Sequence, residues 1–206
     1  ITYKVNGRYD DAALKKLDWF LRDWRENRSI HMDPHLIDLV WEVNREVEGK
    51  QPIQIVCGYR DESTNAMLRR RSTGVAQFSK HMLGKAMDFY VPGVSLEKVR
   101  VAGLRLQYGG VGYYPTSGSP FVHLDVGGVR HWPRMTREQL VRVFPDGRTV
   151  HIPSDGRPLP GYALALADIE RHGGRPSSLS LATAERAGAV EDGERNPPGK
   201  SRSLLA

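Results

Sequence analysis

Apolar residues at Leu14, Leu17, Phe20, Leu21 and Trp24 recur at helical spacing behind Asp10 and Asp11, which predicts an amphipathic helix. Residues 1–9 before it read as a short extended lead-in. A second helix starts at Asp33-Pro34, an N-cap followed by a first-turn proline, and carries the stripe Leu36, Ile37, Val40 and Val43. Pro52 then leads into a strand over 53–57, and a polar helix follows over 61–70. Residues 71–85 are rich in Ser, Gly and Lys and read as a loop. A strand over 86–91 and an amphipathic helix from Ser95 to about Gln107 come next. Strands over 109–114 and 120–126 flank the turn-forming Thr116-Ser117-Gly118-Ser119, which predicts antiparallel neighbours. Short helices over 136–144 and 162–171 are joined by a proline-rich connector.

Runs of helices followed by runs of strands predict an α+β fold, a small antiparallel sheet with helices packed on one side. The expected organisation is a catalytic domain over 1–135, a helical extension over 136–172 and a disordered tail over 173–206, where small and polar residues dominate.

Composition narrows the classes. The 206 residues are 39% hydrophobic and 26% charged, a globular mix, and no run approaches the ~18–20 apolar residues of a membrane helix. The net charge of +6 suits an anionic partner such as a cell-wall polymer, nucleic acid or a lipid surface, or is simply a solvated basic surface. Arg69-Arg70-Arg71 is the only basic run, which disfavours a nucleic-acid binder. The single Cys57 rules out an intrachain disulfide and a zinc ribbon, and in the run 53–57 it reads as a small buried hydrophobe. A chain that opens on Ile1 reads as a processed or trimmed product.

Two stretches carry candidate chemistry. In Ser79-Lys80-His81-Met82-Leu83-Gly84-Lys85-Ala86-Met87-Asp88, an imidazole at a loop end is followed by a carboxylate inside an apolar strand. A buried carboxylate needs a partner, which is either a metal ion or a pairing arginine or loop. In Phe121-Val122-His123-Leu124-Asp125, His123 and Asp125 lie two apart on a strand and share a face. They read either as part of a site or as a structural hydrogen-bonded pair. Should His81, Asp88 and His123 converge, they supply three ligands and leave a fourth position open, the catalytic zinc pattern.

The motif Ser-x-His-x-x-Gly-x-Ala-x-Asp over 79–88 resembles the signature of zinc peptidases that cut bacterial peptidoglycan, a superfamily that includes lysostaphin-like enzymes, D-Ala-D-Ala carboxypeptidases and the metal-binding domain of sonic hedgehog. Further pieces resemble, more narrowly, the murein endopeptidase K group. They are Gly58-Tyr59-Arg60, Thr64-Asn65, 71–76, 109–115, 121–125 and Arg130-His131-Trp132. The resemblance covers residues 10–132. It implies zinc held by His81, Asp88 and His123, a peptidoglycan substrate and export to the periplasm. It also implies cleavage of peptide cross-links, for this group those between two diaminopimelate residues.

Many relatives end the site with His-x-His, whereas this chain has His123-x-Asp125, which leaves Asp125 to serve as base. His131 is a candidate for stabilising the oxyanion or protonating the leaving amine, with packing as the alternative. Arg60 is a candidate clamp for substrate carboxylates, and Tyr113 a candidate cleft wall, with surface charge and core packing as their alternatives. Other readings on the same scaffold are a D-Ala-D-Ala carboxypeptidase and a non-catalytic wall-binding module.

Overall fold

The computed structural model describes residues 1–72 and 74–172, so the expected tail over 173–206 lies outside the described residues. The segment read as a lead-in is a hairpin of β1 (Lys4–Val5) and β2 (Arg8–Tyr9). Helix α1 (Asp11–Phe20) stops four residues short of Trp24. It stops because the Asp23 carboxylate draws the N–H groups of Arg25 (2.9 Å) and Glu26 (3.4 Å), donors that a continuing helix would need. Asp23 and Arg28 then close a bridged turn through reciprocal backbone bonds of 2.9 and 3.2 Å. Helix α2 (Pro34–Glu46) begins where its cap predicts, with Asp33 accepting the His35 N–H at 3.0 Å.

Five strands form the main sheet: β3 (Gln54–Cys57), β4 (Ala86–Tyr90), β5 (Gly110–Tyr114), β6 (Phe121–Asp125) and β7 (Arg130–Trp132), in the order β3-β4-β6-β5-β7. Neighbours are antiparallel except β7, which runs parallel to β5. The sheet is therefore mixed, because the three-residue β7 joins the edge beyond β5 after a turn that carries the chain from the end of β6 past β5. Helix α3 (Glu62–Arg71) follows β3, and α4 (Leu96–Leu106) crosses between β4 and β5.

Alternation decides the two faces. Phe89, Val122 and Leu124 point to the helical side, each fully buried, and join Leu36, Val43, Val99 and Leu104 of α2 and α4 in one core. Each such side chain contributes roughly 1.5–3 kcal/mol. The opposite face of β4 and β6 carries Asp88, His123 and Asp125. The core thus fixes the register that aims the polar face, since a one-residue slip would turn the carboxylates towards the helices and Leu124 towards the polar side.

The C-terminal region adds α5 (Arg137–Val143), with a Thr136–Gln139 capping box, and α6 (Tyr162–Arg171). Leu140, Val143, Phe144 and Leu159 belong to the same core as α4. His151 lies beneath this layer, edge-on to His131 with centroids 4.9 Å apart. Burial pushes His131 down to about 4, helped by Arg100, and His151 down to about 3. An unfolded imidazole titrates near ~6.5, so below that pH the unfolded chain takes protons that the folded chain refuses. Stability from these rings therefore falls as the pH drops from about 6.5 to 4, by at most about 1.4 kcal/mol per pH unit for each ring. His151→Leu removes one ring, and denaturant unfolding between pH 6.5 and 4.5 should show a shallower decline in this variant than in the unaltered chain. Equal slopes would mean that His151 titrates alike folded and unfolded.

Candidate metal centre and active site

Cross-strand pairing lines up one row of side chains on the sheet face away from α2 and α4. Cys57 pairs with Asp88, Asp88 with His123, His123 with Gly112, and Gly112 with Trp132. Residues directly opposite in a sheet share a face, so this row runs from β3 to β7. His81 enters from a 3-10 turn, Lys80–Leu83, capped by Ser79.

Three donor atoms converge there. His81 Nε2 is 3.2 Å from Asp88 Oδ1 and 3.2 Å from His123 Nδ1, and His123 Nδ1 is 2.8 Å from Asp88 Oδ1. All three residues are buried. The remaining ring nitrogens settle the tautomers. His81 Nδ1 lies 2.8 Å from the Gly58 carbonyl, which only accepts, so it carries the proton. His123 Nε2 lies 3.1 Å from Asp125 Oδ2 and donates to it in the same way. In the neutral rings, two nitrogen lone pairs and a carboxylate oxygen therefore face one another out of water. That arrangement is repulsive unless a cation sits among them. Its edges are close to the ~3.3 Å spacing of donors about 2.0–2.1 Å from a tetrahedral zinc. The donor set thus fits a metal ion. Without one, burial disfavours charge on His81, but the Asp88 carboxylate outweighs this and pushes the ring up to about 10, a proton taking the cation's place. The same contacts hold Asp88 well below the usual carboxylate range against the opposing effect of burial.

A fourth donor lies alongside. The Cys57 thiol shares a cluster with the His81 and Asp88 donor atoms, all within 4.8 Å, and lies 3.5 Å from Arg60 Nη2. The expectation of a buried core cysteine is corrected here: Cys57 is half-buried and faces the site. The cause is a bulge between Ile55, which pairs with Phe89 on the core side, and Cys57, which pairs with Asp88. Simple alternation would have kept residues 55 and 57 on one face. The set His81, Asp88 and His123 is the tighter one.

Asp125 is fully buried and fully engaged. Its Oδ1 accepts from the Gly127 N–H (2.8 Å), the Gly110 N–H (3.3 Å) and Arg130 Nη1 (3.0 Å), and its Oδ2 from Arg130 Nη2 (2.6 Å) and His123. Burial alone would raise its pKa, but the bonds from His123 and Arg130 hold it well below the usual range. Arg130 reaches Asp125 by crossing over Gly110, where an added Cβ would sit 2.6 Å from Nη1. One row along, the Trp132 indole crosses Gly112, where a Cβ would meet it at 2.7 Å, and its ring centroid lies 5.1 Å from that of His123. The two glycines on β5 let an edge strand place an arginine and a tryptophan against the central strand β6. Trp132 Nε1 donates to the Tyr114 hydroxyl at 2.7 Å, and Tyr114 stacks on Phe121 at 4.6 Å, forming an aromatic wall beside His123.

Two sequence candidates are not brought to this face. His131 pairs with Val111 on the helical side, where its Nε2 accepts the Met135 N–H at 2.9 Å. Strand alternation gives the site to its neighbours Arg130 and Trp132 instead. Tyr113 also faces the helices, with the Arg100 guanidinium 4.6 Å over its ring, while Tyr114 faces the site. Arg60 is at the site, its Nη2 3.7 Å from Asp88 Oδ2, with Nη1 bonded to Asn65 at 3.4 Å.

The family model described as peptidoglycan L,D-endopeptidase MepK matches residues 1–132, which contain every donor of the cluster. The chain belongs to this peptidase family. Among relatives, the probable peptidoglycan L,D-endopeptidase MepK of Haemophilus influenzae is 47% identical over 125 residues, 60% of this chain and 66% of the relative. Peptidoglycan L,D-endopeptidase MepK of Escherichia coli K12 is 44% identical over 124 residues, 60% of this chain and 67% of the relative. The chain thus spans about two thirds of the length of these MepK relatives. No solved structure matches it. The MepK match ends at β7, so α5 and α6 lie beyond it.

Proposed function

We propose that this chain is a zinc-dependent peptidoglycan peptidase of the periplasm that hydrolyses L,D peptide cross-links, with links between two diaminopimelate residues as its substrate. The observation that carries this reading is the convergence of His81 Nε2, Asp88 Oδ1 and His123 Nδ1, inside the segment shared with the MepK family. These residues would hold the metal through two neutral rings and one carboxylate. A zinc ion there supplies Lewis acidity towards an amide carbonyl and towards water.

The remaining residues position the parts. The Gly58 carbonyl and Asp125 lock the two imidazole tautomers, as outer partners of metal-bound histidines generally do. Asp125 has no oxygen left to take up a proton, so we assign it a positioning role in place of the base expected from the motif. Arg130 neutralises it and fixes its plane. Trp132, Tyr114 and Phe121 exclude water from one side of His123. Arg60 offers a guanidinium at the edge of the donor cluster, where a diaminopimelate carboxylate would be bound.

Digestion of purified sacculi, followed by mass spectrometry of the muropeptides, tests the reading. The expected products are monomers formed from diaminopimelate–diaminopimelate dimers. Release of terminal D-Ala alone would mark a carboxypeptidase. Retention on sacculi with no new product would mark a wall-binding module. Either result would replace the endopeptidase.

A further inference from the structure

Three large aromatic side chains stay in solvent between positions 19 and 24, with Trp19 51% exposed, Phe20 66% and Trp24 69%. Exposed tryptophans in a segment this short ask for a partner. The segment is held by its own hydrogen bonds and one core side chain. Leu21 is buried in the core, and Arg22 bonds to the Asn27 side chain at 2.9 Å and to the Trp19 carbonyl at 3.0 Å. The Asp23 carboxylate ties the following turn through the Arg25 and Glu26 N–H groups. Each indole carries a guanidinium on its ring, Arg22 at 4.3 Å over Trp19 and Arg25 at 4.2 Å over Trp24. The aromatic faces are therefore preset and are paired with cations.

The turn is also fastened to the donor cluster. The Tyr59 N–H donates to the Leu21 carbonyl at 2.7 Å, and the Asp61 N–H donates to Asp23 Oδ2 at 2.8 Å. The adjoining Gly58 carbonyl accepts a hydrogen bond from His81 Nδ1–H at 2.8 Å. One short segment, 58–61, thus supports a metal-ligand residue on one side and the aromatic turn on the other.

We infer that the Trp19–Trp24 turn is a docking platform for the glycan strand of peptidoglycan, an inference that rests on the proposed peptidase reading. A pyranose ring presents C–H faces that stack on an indole, while its hydroxyl and acetamido oxygens accept from a guanidinium. A guanidinium covers one face of each indole, so a sugar would take the exposed remainder of the ring and meet the guanidinium N–H groups at its edge. The peptide stem is covalently joined to the glycan, so a strand passes within one stem length of the site whenever a cross-link is engaged. Binding that strand holds the stem at a raised effective concentration.

The test compares sacculus binding with cleavage of a sugar-free substrate. In a His81→Ala background, which prevents digestion, Trp19→Ala/Trp24→Ala should reduce co-sedimentation with intact sacculi by about tenfold. Glycan strands stripped of their peptides should compete for the parent protein. With His81 intact, the double variant should cleave a soluble peptide dimer lacking sugars at the rate of the unaltered chain. Trp24→Ala alone should show the same split, which guards against a folding defect in the double variant. Unchanged sacculus binding overturns the platform. An equal loss on both substrates overturns it too, by showing that the tryptophans support the fold. Tryptophan-dependent binding to phosphatidylglycerol vesicles without competition by glycan would replace the glycan with a membrane surface. Failure of the unaltered chain to cut the soluble dimer would strike the peptidase reading itself, independently of the binding arms.

Discussion

Asp88→Asn should release the metal and reduce cross-link cleavage by on the order of 10³-fold or more, because it removes the main source of charge stabilisation in the transition state. Asp88 is the only anion among the three tightly packed donors, and its Oδ1 lies 2.8–3.2 Å from both imidazole nitrogens. An amide in its place keeps the size and loses the charge that balances a divalent ion. The effect of Asp88 is local to the donor cluster, with β4 held in the sheet by Met87 and Phe89 in the core. Elemental mass spectrometry of the purified variant reads the metal, and muropeptide analysis reads the activity. Retained metal with retained cleavage would show that the carboxylate is not a ligand.

The second large effect is at Asp125. Removing this carboxylate by Asp125→Ala leaves the His123 Nε2 proton and the Gly110 N–H without their acceptor at a fully buried position. Arg130 is half-exposed and can turn to water, so the cost comes chiefly from buried donors left without their acceptor, about 1–3 kcal/mol. Loss of the partner that orients a liganding histidine lowers metal affinity by roughly 10–100-fold. Denaturant unfolding and competition with a chromophoric chelator measure the two quantities. Asp125→Asn keeps an oxygen for His123 and should recover part of the metal affinity. If Asp125 were instead the proton acceptor, Asp125→Ala would keep its metal and stability and lose turnover alone. The two roles therefore separate on affinity and stability, whatever happens to the rate.

Much of this arrangement is legible in the amino-acid sequence. Caps and stripes place α1, α2 and α4, and turn residues make β5 and β6 antiparallel neighbours. The spacing in 79–88 and 121–125 marks His81, Asp88 and His123, and these are the residues that converge. What the sequence hides is set by long-range pairing. The bulge that turns Cys57 from core to site depends on how β3 meets β4. In Arg130-His131-Trp132 the histidine draws chemical attention, yet pairing with β5 sends it to the helical side and its neighbours to the site. The same rule exchanges Tyr113 for Tyr114. The signal for Arg130 and Trp132 is the pair of glycines at 110 and 112, which leaves β5 bare where those side chains cross. Trp24 fits a helical stripe by spacing, but the Asp23 side chain captures the N–H groups that would have extended α1.

If a single metal ion held by His81, Asp88 and His123 drives hydrolysis of peptidoglycan cross-links, then activity must follow the removal and return of that ion. The chain is dialysed against a strong chelator, assayed on purified cross-linked muropeptide dimers, and then given zinc in increments up to one equivalent per chain. Cleavage should disappear with the metal and return in proportion to added zinc, levelling off at one ion per chain. Undiminished cleavage by the metal-free chain would contradict a metal-dependent peptidase at this site.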